Sequence, residues 1–254
     1  MPVSQKEKDE IAILANPDFG ATVEDRQARF QKAKVVAGAL NVVGMVNFFL
    51  LIFYPKPYAL VTGLSIVLPF FIVSVMHIFN GLIKIDKVKG SAYPSTVYAV
   101  VYPAIGLGFR AVFDFQILSY DHFWLPAICI TVGTLLILLA TTLELSLKRP
   151  ADWLTTLFVA AFIFVYAYGG VLNYNCFYDQ SETETYMPEV LAKRERSGRG
   201  TSYYLELAPW GPRTERKEVK ASRELYQALE VGDQVKISMR QGKMDIPWFE
   251  VSTR

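Results

Sequence analysis

Residues 35–54 read VVAGALNVVGMVNFFLLIFY and contain no charged side chain. A helix rises about 1.5 Å per residue, so roughly 20 apolar residues are enough to cross a hydrocarbon core about 30 Å thick. Backbone polar groups in lipid must pair within their own segment, which favours a helix. This stretch is therefore predicted to span a membrane, and it decides the class of fold.

Four further stretches have the same length and apolar character, namely residues 58–83, 96–118, 123–143 and 153–174. The chain is 52% hydrophobic, but a soluble protein could have a similar total, so the distribution is the informative feature. We therefore predict a membrane α-helical bundle of five transmembrane helices. Residues 34–175 would form this bundle, residues 1–33 a polar N-terminal arm, and residues 176–254 a small β-rich domain.

Positively charged residues in short loops set the orientation of such a bundle. Four cations precede the first span, three lie between the second and third, and two lie between the fourth and fifth: Arg26, Arg29, Lys32 and Lys34, then Lys84, Lys87 and Lys89, then Lys148 and Arg149. The alternate loops hold only Lys56 or no cation. This pattern predicts a cytoplasmic N-terminus and an extracytoplasmic C-terminal domain.

The N-terminal arm combines a loosely ordered beginning with one short helix. Residues 22–25, TVED, form a capping box that opens a helix running into the first span. Residues 1–21 carry no comparable signal and are predicted to be loosely ordered. Two interpretations of the arm stay open, a polar tail and a docking arm for a cytoplasmic partner.

After residue 174 the apolar periodicity changes from helical to alternating, which is typical of strands. Three strands, a short helix over residues 222–230 and two more strands are predicted. This is the element order of a five-stranded OB-type barrel, although a small open sandwich has the same order. OB folds bind diverse ligands, so the fold does not fix a function.

The C-terminal pattern Gly-Asp-x-Val…Gly-x-x-x-Ile-Pro-Trp resembles the tail of uncharacterised bacterial multi-pass membrane proteins. The matching residues are Gly232, Asp233, Val235, Gly242, Ile246, Pro247 and Trp248. The resemblance covers only the tail. It implies a bacterial envelope protein, for which the inner membrane is the expected location, and transfers no activity.

Trp210 lies in the rigid stretch 208–212, APWGP. One interpretation is that the indole closes one end of the β-domain core. The other is that it is an exposed anchor for a partner protein, because tryptophan is enriched in interface hot spots.

Arg110 and Asp114 lie four residues apart within an apolar span and can share one helix face. Ionisable groups are costly in lipid and often mark function. Three interpretations stay open: a self-neutralised pair, a site for an anionic ligand or lipid headgroup at Arg110, and a subunit contact.

Other unusual residues in the spans are prolines and polar side chains. Pro69 and Pro103 are predicted to kink their helices, either for packing alone or to open a cavity as in transporters with broken helices. The polar side chains are predicted to make contacts within the membrane: Asn41, Asn47, His77 and Asn80.

Several classes of site are not indicated. The net charge of +2 gives no basis for nucleic-acid binding. Two histidines and two cysteines without a carboxylate cluster predict no metal and no other cofactor, and no nucleotide-binding or hydrolase motif is present. The cysteines, Cys129 and Cys176, cannot form a disulfide framework.

The leading hypothesis is a non-catalytic membrane accessory or scaffold subunit that binds lipids and other membrane or envelope proteins, or itself. The alternative is a small oligomeric transporter or channel-like protein that uses the Arg110 and Asp114 region. A third class is a lipid-modifying enzyme, for which only Asp114, Asp121 and His122 lie near one another in sequence.

Overall fold

The computed structural model describes residues 3–86, 89–141, 150–198 and 201–253. The chain divides into two compact units. The helical unit contains Met1–Ala111 and Leu125–Asn173, and the β unit contains Val112–Trp124 and Tyr174–Arg254. Lys87, Leu143, Lys148 and Arg149, on which parts of the span and charge predictions rest, lie outside the described residues.

The helices follow the apolar segments with shifted ends. They are α1 (Gln5–Ala15), α2 (Val23–Phe53), α3 (Tyr58–Ile78), α4 (Val97–Asp114), α5 (Trp124–Thr141) and α6 (Pro150–Phe177). Four of them are long and apolar enough to cross a membrane: α2, α3, α4 and the part of α6 from Thr156 to Phe177. Within the described residues α5 contributes a shorter apolar stretch, Trp124–Ala140.

The beginning of the chain is more ordered than predicted. Ser4 and Glu7 form a capping box that opens α1, and Ile13 is fully buried. Arg26 donates hydrogen bonds to the carbonyl oxygens of Leu14, at 2.7 Å, and Gly20, at 2.8 Å. The expectation of a loosely ordered start is therefore wrong, because tertiary contacts compensate for the weak helical periodicity of this segment. The predicted Thr22 capping box is present.

The second apolar segment was predicted to be helical to residue 83, but α3 ends at Ile78. Asn80 follows in a left-handed turn with a φ of 50°. The apolar residues beyond it, Leu82 and Ile83, are buried in the same core as Ile13 and do not face lipid. Arg29 donates to the carbonyl oxygen of Ile78 at 2.7 Å and so caps the end of α3.

Asp9 fastens α1 to the segment between α3 and α4. Its carboxylate accepts hydrogen bonds from the Ser91 hydroxyl, at 2.6 Å, and from the Ala92 backbone amide, at 3.0 Å. These two donors, the hydroxyl first, hold the pKa of Asp9 below its usual value. In the same segment the Lys84 amide donates to the Pro94 carbonyl and the Thr96 amide donates to the Lys84 carbonyl, each at 2.8 Å, which holds the two ends of the segment together.

Among its described residues the β unit contains seven short strands and one short helix, in addition to the ends of α4 and α6. They are β1 (Gln116–Ile117), β2 (Glu184–Tyr186), β3 (Val190–Ser197), β4 (Thr201–Leu207), β5 (Lys217–Ala221), α7 (Arg223–Ala228), β6 (Lys236–Arg240) and β7 (Trp248–Ser252). One antiparallel sheet has the order β1-β7-β6-β2, and the other has the order β3-β4-β5. The third apolar segment was predicted to be helical to residue 118, but α4 ends at Asp114, because Gln116 and Ile117 pair with β7.

The first predicted strand is divided in two. β2 pairs with β6 and β3 pairs with β4, with Pro188 between them. Proline has no amide hydrogen for a ladder, which favours a break there. A backbone hydrogen bond from Val190 to the Asp233 carbonyl, at 2.8 Å, links β3 to the loop before β6. The described strands thus form two antiparallel sheets around one apolar core, and neither the OB-type barrel nor the small open sandwich is decided by this arrangement.

Candidate functional sites

A cavity of about 380 Å³ lies within the helical unit between α3, α4, α5 and α6. Its walls are almost entirely aliphatic and aromatic. Pro69 and Val73 contribute from α3, Val100 from α4, Leu138 from α5 and Val159 from α6. Its volume lies within the range of small-molecule pockets, about 300–1,000 Å³.

Two parts of the cavity lining differ in chemistry. Phe70, Phe158 and Phe162 belong both to the lining and to the exposed apolar surface of the helices. Ile85 and Asp86, from the loop between α3 and α4, also belong to the lining, and Asp86 is exposed. The lining therefore includes exposed apolar rings on the helices and an exposed carboxylate in a loop.

Pro69 and Tyr166 shape the wall of the cavity. Proline removes a backbone donor, so the carbonyl of Ser65 loses its usual partner one turn earlier in α3. The Tyr166 hydroxyl donates to the carbonyl oxygen of Ile66 at 2.5 Å. The one tyrosine hydroxyl in the lining is thus engaged with the wall of the cavity itself.

Asn41 and Asn47 hold α2 against its neighbours. Asn41 donates to the Ser95 carbonyl at 2.6 Å and accepts from the Ala99 amide at 3.0 Å, so it satisfies backbone groups at the start of α4. Asn47 is buried and donates to the Ser65 hydroxyl. Both side chains join helices, and neither belongs to the cavity lining.

His77 and Asn80 lie elsewhere. His77 is exposed near the end of α3, and Asn80 is exposed in the turn after it. The expectation of intramembrane contacts placed Asn80 inside a helix that ends before it. The structure does not bring these residues together with Asn41 or Asn47 in a buried cluster.

Arg110 is half-buried and donates through Nη2 to the carbonyl oxygen of Ile52 at 3.1 Å. Ile52 lies in the last turn of α2, where unpaired carbonyl groups favour a cation. Asp114 is exposed in the last turn of α4. Neither Arg110 nor Asp114 lines the cavity. Of the two prolines predicted to kink their helices, Pro69 lines the cavity, whereas Pro103 is buried and only its neighbour in sequence, Ala104, belongs to the lining.

Close contacts of glycine make α4 the central helix of the unit. A Cβ atom on Gly44 would lie 2.5 Å from the Ala99 Cα, and one on Gly169 would lie 2.5 Å from the carbonyl carbon of Leu107. Asn173 supports the second contact by donating to the Leu107 carbonyl at 3.1 Å and accepting from the Tyr58 hydroxyl at 2.5 Å. The sequence analysis did not identify Asn173, Tyr166 or Asp86 as site residues, although Tyr166 and Asn173 are polar side chains within an apolar span.

In the β unit, the last turn of α6 is bound to the loop before β7. Buried Asn175 donates to the Ile246 carbonyl at 2.8 Å and accepts from the Met244 amide at 2.8 Å. A Cβ atom on Gly242 would lie 2.4 Å from the Asn175 amide nitrogen, and Gly242 has a φ of 82°. Only glycine therefore fits this position.

Asp179 completes this junction. Its Oδ2 accepts from the Gly242 amide at 3.0 Å and from the Trp248 indole at 2.8 Å, and its Oδ1 accepts from the Ser181 amide. Burial works against the charged carboxylate, but these donors outweigh it and hold the pKa of Asp179 below its usual value. The Gly-x-x-x-Ile-Pro-Trp pattern thus has a structural role, which is to hold Asn175 and Asp179.

Trp210 is 6% exposed and packs between Tyr186 and Phe249, with ring centroids 5.5 Å and 5.4 Å away. Of the two interpretations, this position fits closure of the β core and not an exposed anchor. Asp121 accepts from Ser119, and Nδ1 of His122 lies 2.8 Å from the Asp245 carbonyl oxygen, so both take part in loop contacts.

The solvent-facing side of the β3-β4-β5 sheet carries a group of charged and aromatic side chains, which we call the outer sheet face: Arg194, Arg196, Tyr204, Glu206 and Glu218. Glu206 and Glu218 face each other across β4 and β5, which would be unfavourable for like charges alone. Arg194 contacts both carboxylates, at 3.6 Å and 2.9 Å, and so offsets part of their repulsion.

The second arginine is held in the same way. Arg196 pairs with Glu218 at 2.6 Å, and its guanidinium lies 4.8 Å from the centroid of the Tyr204 ring. The arginine side chains are 57% and 62% exposed, whereas the glutamates are only about a quarter exposed. The face therefore presents two fixed guanidinium groups and one tyrosine ring to the outside.

Comparison with protein-family models, curated proteins and solved structures found no match. The bacterial envelope origin that the tail pattern implies therefore stays a prediction.

Proposed function

We propose that this protein is a non-catalytic integral membrane accessory subunit that binds another membrane or envelope protein through the outer sheet face. Arginine and tyrosine are enriched in the energetically important parts of protein interfaces. Arg194 and Arg196 are already fixed by Glu206 and Glu218, so a partner would not have to order them. This preorganised pair is the observation that carries the proposal.

In the proposed arrangement α5 is a fifth membrane crossing. An odd number of crossings and the distribution of lysine and arginine put the N-terminus in the cytoplasm and the β unit outside it. In the same proposed arrangement β2 and β3, which follow one another in sequence and pair with β6 and β4 respectively, together take the place of the first strand of an OB-type fold. The inner membrane of a bacterium is the proposed location.

The test is gentle detergent extraction from the native membrane, followed by native mass determination and identification of the bound chains. We expect a stoichiometric complex with another protein, and we expect Arg194→Ala combined with Arg196→Ala to reduce its recovery at least about tenfold. The matched control is Lys217→Ala, because Lys217 is an exposed cation on the same sheet outside this face. A monomer alone, or equal recovery of the complex from both variants, would contradict the proposal.

The alternative function is a small oligomeric transporter or channel. Pro69, one of the kinks expected to open a route, does line a cavity. The lining is apolar apart from a few groups such as Asp86, Thr134 and the engaged Tyr166, which does not suit a hydrated solute. Flux of a solute through vesicles that contain the full chain, abolished by Val73→Phe, would favour this alternative.

A further inference from the structure

We propose that the cavity between α3, α4, α5 and α6 is a binding site for one hydrocarbon chain of a membrane lipid, acyl or prenyl. The lipid's polar headgroup would lie beside Asp86. This site goes beyond the protein-binding role proposed above, and it does not depend on that role.

The shape of the site indicates hydrocarbon as the occupant. Three of the helices that line it, α3, α4 and α6, are long and apolar enough to cross a membrane, and the exposed rings of Phe70, Phe158 and Phe162 belong to its lining. A chain could therefore enter sideways from the bilayer without passing through water. Water itself needs two to four polar partners in such a space, and the lining provides few.

The direction of the bound lipid follows from the elements that line the site. The cavity contacts the second half of α3 from Pro69, the first half of α4 to Ala104, and the loop residues Ile85 and Asp86 between them. The site thus lies in the half of the bundle next to this loop. A headgroup at Asp86 would be at the polar boundary while its chain occupies the aliphatic part.

The strength of binding must come from packing and from the headgroup. A chain that leaves the bilayer for an apolar pocket gains no hydrophobic free energy, because both surroundings are hydrocarbon. Close contacts with the aliphatic walls and a polar contact at the boundary would instead select one lipid. A cavity-filling side chain should therefore compete directly with the bound chain.

The experiment counts bound lipids on the full chain. The protein is purified in mild detergent, incubated with vesicles of palmitoyl-oleoyl phosphatidylethanolamine and phosphatidylglycerol, exchanged into detergent again, and examined by native mass spectrometry. We expect one retained lipid per chain. Val73→Phe on α3 and Val159→Phe on α6, which fill the cavity from two different helices, should each lower the retained fraction about tenfold.

Val67→Phe is the matched control, because Val67 is on α3, is 59% exposed and does not belong to the lining. It should retain lipid as the wild type does. Organic extracts of protein from native membranes identify the source, and either a glycerophospholipid or a prenyl lipid would support the site.

Three results would overturn the inference. They are a wild-type protein that retains no lipid, equal retention by the filled variants at unchanged thermal stability, and recovery of a tightly bound molecule that has no hydrocarbon chain. Two cavity-filling variants are used so that a folding defect in one does not decide the outcome.

Discussion

Replacing Asn175 by alanine should destabilise the β unit strongly. The change removes the donor to the Ile246 carbonyl and the acceptor of the Met244 amide, both at 2.8 Å, from a side chain that is fully buried. Each buried backbone group left unpaired costs about 1–3 kcal/mol, so the two together should cost roughly 2–6 kcal/mol. Each kcal/mol lowers the Tm of a domain of this size by about 4–8 °C, so we expect a fall in Tm of at least about 8 °C.

The assay is thermal unfolding of the full chain in detergent, followed by the change in tryptophan fluorescence as the buried Trp210 and Trp248 of the β unit become exposed, with Trp124→Phe and Trp153→Phe introduced in every variant to remove the other two tryptophans. Gln241→Ala is the matched control, because Gln241 is an exposed amide side chain in the same loop, and it should change the free energy of unfolding by less than about 0.5 kcal/mol. A Tm for Asn175→Ala within a few degrees of this control would refute the reasoning. It would mean that the last turn of α6 is not bound to this loop.

Three further predictions concern the packing of Gly169, the pH dependence due to Asp179 and the half-buried Arg110. Gly169→Ala should lower the free energy of unfolding of the helical unit by about 1–3 kcal/mol, because its Cβ would lie 2.5 Å from the backbone of α4. Gly170→Ala, which has open space around it, is the control and should leave the thermal unfolding curve unchanged. Because the pKa of Asp179 is lowered in the folded protein, its carboxylate stabilises the β unit above about pH 4, and this contribution is lost as the pH falls through the pKa of the folded state. The Tm of Asp179→Asn should therefore vary less with pH in that acidic range than the Tm of the wild type. Arg110→Leu should cost roughly 1–2 kcal/mol through loss of its hydrogen bond to Ile52, yet leave lipid retention unchanged; a loss of bound lipid at unchanged stability would contradict its role as a helix cap.

The sequence predicts the helices well because length and hydropathy alone decide whether a segment suits lipid. It predicts their ends less well. Leu82 and Ile83 are apolar, yet they serve the core beneath α1, and periodicity cannot distinguish a lipid-facing residue from a buried one. Local periodicity also gave no sign of β1, since Gln116 and Ile117 become a strand only by pairing with β7, which is distant in sequence.

The candidate sites show a different limit. Arg110 was a candidate ligand site because a charge in an apolar span is costly, but in the structure its guanidinium donates to the Ile52 carbonyl in the last turn of α2. The cavity, in contrast, is bounded by valine, leucine and phenylalanine residues that have no distinctive sequence signal. Pro69 was the one useful indication, because a kink was considered as a way to open a cavity.

The polar groups of the helical unit explain why the cavity has an apolar character. Asn41 and Asn47 join α2 to α4 and α3, and Asn173 joins α6 to α4. Tyr166 reaches the cavity, but its hydroxyl is used by the Ile66 carbonyl. Because these groups are consumed in holding helices together, the aliphatic walls are what a ligand meets, and affinity there depends on fit to a chain. A polar solute would have to break helix contacts in order to bind, whereas a hydrocarbon chain would not.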